Sequence, residues 1–149
     1  MPFGGGSLRL NWGLKMSKFK LSAASEEKLV GVHADLVKVV HRAIELSVVD
    51  FKVIEGKRTL ERQKELFAKK ATKTMNSRHL TGHAVDLVPL PVNWNDREPF
   101  KNVASAMFQA AKQLGVAIRW GGDWNMNESS NDERFYDGPH FELLRSVYP

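Results

Sequence analysis

Ser77-Arg-His79-Leu-Thr-Gly82-His83-Ala-Val-Asp86-Leu-Val88 is the stretch on which the fold turns. Ala84-Val-Asp-Leu-Val88, stopped by Pro89 and Pro91, predicts a strand. Gly82 just ahead lets the chain turn, so the polar residues before it can fold back beside that strand. Downstream, Pro99 predicts the first turn of a helix whose inner stripe is Phe100, Val103, Met107, Ala111 and Leu114, with Gly115 as its stop. Val116 to Trp120 predicts another strand. The polar stretch Gly121 to Gly138 then leads to a last short strand at Phe141 to Leu144, and a loop of that length inside a compact domain is usually functional. Upstream, Ala68 to Arg78 reads as a lysine-rich loop, and Thr59 as the cap of a short helix through Leu60, Gln63 and Phe67. Asp50 to Glu55 alternates, with Phe51 and Val53 on one face, and predicts the first strand, ended by Gly56. Ser25 is the expected N-cap of a long helix reaching Leu46. Glu26 and Glu27 fall in its first turn, and Leu29, Val32, Leu36, Val40, Ala43 and Leu46 follow a three-to-four spacing. Together these elements predict an α+β fold, with helices packed against a small, mostly antiparallel sheet.

The chain has 149 residues, 42% of them hydrophobic and 26% charged, which suits one folded domain and excludes a disordered or fibrous chain. It has no cysteine. Disulfides, thiolate metal sites and cysteine nucleophiles are thereby excluded, and any metal must be held by His, Asp or Glu. The 22 Lys and Arg against 17 Asp and Glu give a net charge of +5, which points to an anionic partner such as nucleic acid, membrane or cell wall. No helix-turn-helix or basic–aromatic interleaving is present, so nucleic acid is not the expected partner. No apolar run approaches the ~20 residues that span a bilayer. Residues 1–15 lack a basic segment followed by an apolar core, so no signal peptide is expected there. They are read as a flexible N-terminal extension, and residues 16–149 as a single catalytic domain.

Two clusters carry the chemistry: the opening stretch, and Tyr136-Asp137-Gly-Pro-His140-Phe-Glu142. A catalytic zinc site needs three nitrogen or oxygen ligands and an open position. His79, Asp86 and His140 supply two imidazoles and a carboxylate. Gly82 lets the first two converge although seven residues separate them, and His140 arrives from a different strand. Hydrolysis also needs a base near the metal. Asp137 stands three residues before His140, across the Gly138-Pro139 turn, and would place a carboxylate beside that ligand without being one. Glu142, two residues after His140 on the same face of a strand, is expected to orient the imidazole. His83 lies four residues after His79, but Gly82 and the strand that follows argue against the helix such a pair would need. His33 and His41 belong to the first helix.

The pattern Ser-x-His-x-x-Gly-x-Ala-x-Asp from Ser77 to Asp86, followed by Asp137-x-x-His140, resembles the zinc D-alanyl-D-alanine carboxypeptidase and dipeptidase family. That family includes the vancomycin-resistance enzymes and phage endolysins that cleave L-alanyl-D-glutamate. Gly56-Lys-Arg58-Thr59 is similar to the family's Gly-x-Arg followed by Ser or Thr, and the resemblance runs from about Leu29 to Leu143. Many members carry Glu-x-Trp-His where this chain has Asp137-Gly-Pro-His140. Asp at that place, and Trp120-Gly-Gly-Asp-Trp124, resemble the endolysin branch. A lysostaphin-type His-x-His ending is absent, since Glu142 stands in the second position. The resemblance implies zinc held by His79, Asp86 and His140, with Asp137 as general base. It implies that Arg58 polarises the scissile carbonyl, Ser77 bonds a substrate carboxylate and Gln63 shapes the pocket. The implied substrates are peptidoglycan stem peptides, cut at the L-alanyl-D-glutamate bond; a D,D-carboxypeptidase or dipeptidase acting on D-Ala-D-Ala is the alternative. The implied setting is the host cytoplasm until release to the cell wall, and a monomer is expected. From Lys52 to Arg78 there are nine Lys and Arg against Glu55, Glu61 and Glu65. That charge is read either as a solvated face or as attraction to anionic wall material.

Asp123, Asn125 and Asn127 place oxygen side chains at every second position, with Glu128, Asp132 and Glu133 beyond, like the start of a calcium loop. Glu128 stands where such a loop has Gly, and Arg134 where it has Glu. A solvated polar loop and a bound calcium ordering the segment before Asp137 are both open readings.

Overall fold

The computed structural model describes residues 19–70, 77–127 and 136–149. The expected extension at residues 1–15, and the part of the calcium loop from Glu128 to Arg134, lie outside the described residues.

The stripe from Leu29 to Leu46 is carried by two helices, not the one expected. Helix α1 (Ala23–Lys28) is capped by Ser22, whose Oγ accepts from the Ser25 amide at 3.1 Å. Ser25, the expected cap, is instead buried inside α1, and its hydroxyl accepts from the Val53 amide at 3.0 Å, pinning the helix to the first strand. Helix α2 (Ala34–Leu46) is capped by His33, whose Nδ1 accepts from the Asp35 amide at 3.1 Å. The chain turns between them at Gly31, where φ is +87°. Leu29 and Val32 stay buried through this turn, so the apolar spacing continues across a break in the helix.

Strand β1 (Phe51–Glu55) is followed by α3 (Leu60–Ala68), capped as expected by Thr59, whose Oγ1 accepts from the Arg62 amide at 3.0 Å. A single 3-10 turn, Arg78–Thr81, leads into β2 (Ala84–Pro89). Helix α4 (Glu98–Leu114) takes Pro99 in its first turn and ends at Gly115. Leu114, expected in its buried stripe, is 44% exposed, because the last turn runs past the core. Strand β3 is shorter than expected, Ile118–Trp120, and β4 begins at His140 and ends at Leu143, so a candidate ligand opens the strand itself.

Among the described residues four strands run in the order β1-β2-β4-β3, and each of their pairings is antiparallel. Asp86 lies opposite His140, Ala84 opposite Glu142, and Arg119 opposite Glu142. Side chains alternate along a strand and directly opposed residues share a face, so Asp86, His140, Glu142 and Arg119 project from one side of the sheet. Val85, Leu87, Phe141 and Leu143 project from the other, into one core with Leu36, Val40 and Met107 of α2 and α4. A bulge between Val53 and Glu55 breaks the alternation of β1. Phe51 and Val53 stay in the core while Glu55 comes opposite Asp86, on the polar face.

Two glycines let the turn between α1 and α2 sit directly on the polar motif. Gly82 has φ of +75°, and a Cβ there would lie 2.4 Å from the Gly31 carbonyl oxygen. A Cβ on Gly56 would lie 1.9 Å from the Lys28 carbonyl oxygen. The His33 amide donates to the Gly82 carbonyl at 2.8 Å, locking this contact. Among the described residues no helix is long and apolar enough to cross a membrane.

Candidate metal centre and active-site cleft

Three expected ligands meet at the middle of the sheet. His79 sits on the 3-10 turn, Asp86 at the centre of β2 and His140 at the start of β4. His79 Nε2 lies 3.1 Å from Asp86 Oδ1, and His140 Nδ1 lies 3.2 Å from the same oxygen. The three donor atoms are all within 4.8 Å of one another, and among the described residues they form the group able to hold a metal ion. A tetrahedral ion with bonds of about 2.0–2.1 Å needs ligand atoms roughly 3.3 Å apart, so the two short separations suit such an ion.

The far nitrogens of both rings are also assigned. His79 Nδ1 donates to the Gly56 carbonyl at 2.8 Å, which turns Nε2 toward Asp86. His140 Nε2 donates to Glu142 Oε1 at 2.8 Å, which turns Nδ1 toward Asp86. A carbonyl or carboxylate behind each imidazole is the usual support of a metal-binding histidine. Glu142 thus bridges the His140 ring and Arg119, its other oxygen accepting from Arg119 Nη2 at 2.9 Å. Charge and hydrogen bonds hold the three side chains together. Burial alone would raise the Asp86 carboxyl, but hydrogen bonds from His140 and His79 hold it well below the usual range. Burial would lower His140, yet Asp86 and Glu142 together push it up to about 9. His140 therefore carries two protons at neutral pH until a metal displaces one.

Asp137 is not in the cluster of donor atoms but lines the same cleft. Its amide donates to the Gly121 carbonyl at 2.8 Å and its carbonyl accepts from the His140 amide at 3.1 Å. Trp120 Nε1 donates to the Gly138 carbonyl at 2.6 Å, fixing the turn that joins Asp137 to His140. Burial pushes the Asp137 carboxyl up and the Asp86 charge adds to this, against His140, His79 and Arg58. A carboxyl raised in this way is a better proton acceptor than an ordinary aspartate.

Arg58 enters from the segment after β1, its amide donating to the His79 carbonyl at 2.8 Å. It pairs with Glu55, and its Nη1 donates to Gln63 Oε1 at 2.7 Å and to Ser77 Oγ at 3.4 Å. Gln63 is fully buried. Arg58, Gln63 and Ser77 are therefore one connected group, with Ser77 the loosest contact. Glu55, which the sequence reading did not single out, anchors it from the strand bulge.

The cleft has a volume of about 710 Å³. Sequence reasoning also missed Arg119, Trp94, Trp124 and Arg145 on its walls. The Trp124 ring lies 5.3 Å from the His140 ring, and the Arg119 guanidinium sits 5.0 Å from the centre of Trp124. His83 stays outside the ligand group and hydrogen-bonds Thr81 Oγ1 at 2.6 Å. In the candidate calcium loop, Asp123 Oδ1 and Asn125 Oδ1 both accept from the Asn127 amide, at 3.1 and 3.3 Å.

The sequence pattern of the phage L-alanyl-D-glutamate peptidases matches residues 16–144. The L-alanyl-D-glutamate peptidase of Escherichia phage T5 is 38% identical over 135 residues, covering 85% of this chain and 98% of its own length. The peptidase of the same name from Listeria phage A118 is 31% identical over 135 residues, 87% of this chain but 43% of that protein. The crystal structure of the Serratia marcescens L-Ala D-Glu endopeptidase ChiX superposes with a TM-score of 0.75 at 41% identity, covering 87% of this chain and 94% of that one. On sequence and on fold, this chain belongs to the phage L-alanyl-D-glutamate peptidase family.

Proposed function

We propose that this chain is a zinc-dependent endopeptidase that cuts the L-alanyl-D-glutamate bond of peptidoglycan stem peptides, acting as a phage endolysin once it reaches the wall from the host cytoplasm. The observation that carries this reading is the convergence of His79 Nε2, Asp86 Oδ1 and His140 Nδ1 in one cleft with Asp137 and Arg58. The activity named for the three relatives supports the L-alanyl-D-glutamate bond over D-Ala-D-Ala.

His79, Asp86 and His140 would hold the zinc, through two neutral imidazoles and one carboxylate. Bound there, zinc supplies a Lewis acid that makes a water more acidic and a peptide carbonyl more electrophilic. Asp137 takes the proton from the attacking water and returns it to the D-glutamyl nitrogen as the C–N bond breaks. One water is consumed, and an L-alanyl carboxylate and a D-glutamyl amine are formed. Arg58 donates to the carbonyl oxygen as negative charge grows on it, and Glu55 and Gln63 hold the guanidinium in place for this. Glu142 and the Gly56 carbonyl keep the two imidazoles turned toward the metal position.

Mass spectrometry of digested peptidoglycan tests the reading. New fragments should begin at D-glutamate, with L-alanine left on the muramyl residue. Release of terminal D-alanine from intact stems would replace it with the carboxypeptidase alternative.

A further inference from the structure

Four arginines line the cleft, Arg58, Arg78, Arg119 and Arg145, beside the carboxylates of Glu55, Asp86, Asp137 and Glu142. Three of the four are committed. Arg58 is held by Glu55, Gln63 and Ser77. Arg78 is buried and donates to the Leu143 and Tyr148 carbonyls at 3.1 and 2.5 Å. Arg119 pairs with Glu142. Arg145, two residues past the end of β4, is exposed, and with the described residues it makes no hydrogen bond or ion pair.

Three of the acids are already engaged, Asp86 and Glu142 by the imidazoles and Glu55 by Arg58. The fourth, Asp137, is the base of the reading above and makes no ion pair with Arg145. A bound dication would neutralise Asp86 further. Arg78 and Arg145 line the same cleft, and an anion bound there would relieve the repulsion between like charges.

The placement of the charges has a direction. Arg58 follows β1, at one edge of the sheet, and Arg145 follows β4, two strands away across β2. With Arg58 serving the scissile carbonyl, the remaining open cation faces another part of the substrate. In the stem peptide the D-glutamyl residue continues the chain through its γ-carboxyl. Its α-carboxylate is therefore free, on the carbon that bears the scissile nitrogen.

We propose that Arg145 is a specificity-determining residue of this cleft and binds the free α-carboxylate of the D-glutamyl residue. The proposal rests on the L-alanyl-D-glutamate reading given above. It makes the enzyme selective for stems that carry D-glutamate over stems whose α-carboxylate is amidated to D-isoglutamine. A guanidinium suits this task because it grips a carboxylate through two parallel donors.

The test uses zinc-loaded protein and two peptides, N-acetyl-L-Ala-γ-D-Glu-L-Lys and its D-isoglutamine counterpart. The wild type should prefer the carboxylate peptide by about tenfold or more in kcat/KM, mostly through KM. Arg145→Gln should abolish that preference by raising KM for the carboxylate peptide, with kcat nearly kept, and Arg145→Lys should retain part of it. The side chain is exposed, so neither substitution threatens the fold. A preference that survives Arg145→Gln, or a wild type with no preference, overturns the role of Arg145 and leaves the cleavage reading standing. A zinc-loaded wild type that cuts neither peptide overturns both.

Discussion

Replacing Glu142 with Gln isolates the contact that orients His140. The residue is 4% exposed, and its two carboxylate oxygens serve His140 and Arg119. Glutamine keeps the volume but removes the charge. Loss of a carboxylate behind a ligating imidazole usually weakens metal binding 10–100-fold, roughly 1.4–2.7 kcal/mol. A second effect opposes this one. In the metal-free protein His140 titrates at about 9, partly because of Glu142, so at pH 7 a proton competes with zinc by roughly two pH units, or ~100-fold. Removing Glu142's charge lowers that value and eases the competition. The loss of affinity should therefore be small near pH 7 and reach its full 10–100-fold above pH 9, where His140 is neutral in both proteins. Zinc titration against a competing chromophoric chelator, repeated from pH 7 to 9.5, measures this directly. At saturating zinc kcat should stay within a few-fold of wild type, because Glu142 touches neither substrate nor zinc. Equal affinity of the two proteins above pH 9 would refute the orienting role. A kcat loss of 10²-fold at full occupancy would instead make Glu142 the base.

Asp137→Asn should keep zinc and fold while kcat falls 10²-fold or more, read by steady-state kinetics alongside metal analysis; loss of the metal would make Asp137 a ligand. Arg58→Ala should cost about 10²–10³ in kcat with zinc retained, the scale of a lost oxyanion donor, and an unchanged rate would remove Arg58 from the reaction. Gly82→Ala should destabilise the protein by at least ~2 kcal/mol in urea unfolding, since it imposes a left-handed alanine and a Cβ 2.4 Å from a backbone oxygen. In metal-free protein the raised value of His140 contributes stability that is complete below its unfolded value of about 6.5 and is lost as pH climbs through about 9. Thermal melts of chelated protein should accordingly show Tm falling across that window, and a flat profile would contradict the charged cluster.

The convergence of His79, Asp86 and His140 could be read from residue order because the three sit on short, well-marked elements. A proline-closed apolar run placed Asp86 on a strand, and a single glycine let His79 fold back to it. Thr59 capped its helix as expected, and α4 lies between Pro99 and Gly115 as its end signals indicated. What escaped depends on tertiary contact. The break between α1 and α2 hid behind an unbroken apolar spacing, because Leu29 and Val32 are buried from a turn as well as they would be from a helix. Ser25 looked like a cap since its hydroxyl suits one, yet Val53 claims it. The bulge that brings Glu55 to Arg58 leaves no mark in a five-residue strand. Arg119, Trp124 and Arg145 reach the cleft only because β4 inserts between β2 and β3, an order that local patterns do not encode.

Zinc held by His79, Asp86 and His140 is tested by metal analysis of the purified protein, coupled to a peptidoglycan lysis assay before chelation, after chelation and after zinc is restored. About one zinc per chain is expected, with metal and lysis lost together and both recovered on adding zinc, and with His140→Ala unable to recover either. Protein that lyses walls at full rate after its metal has been stripped would contradict it.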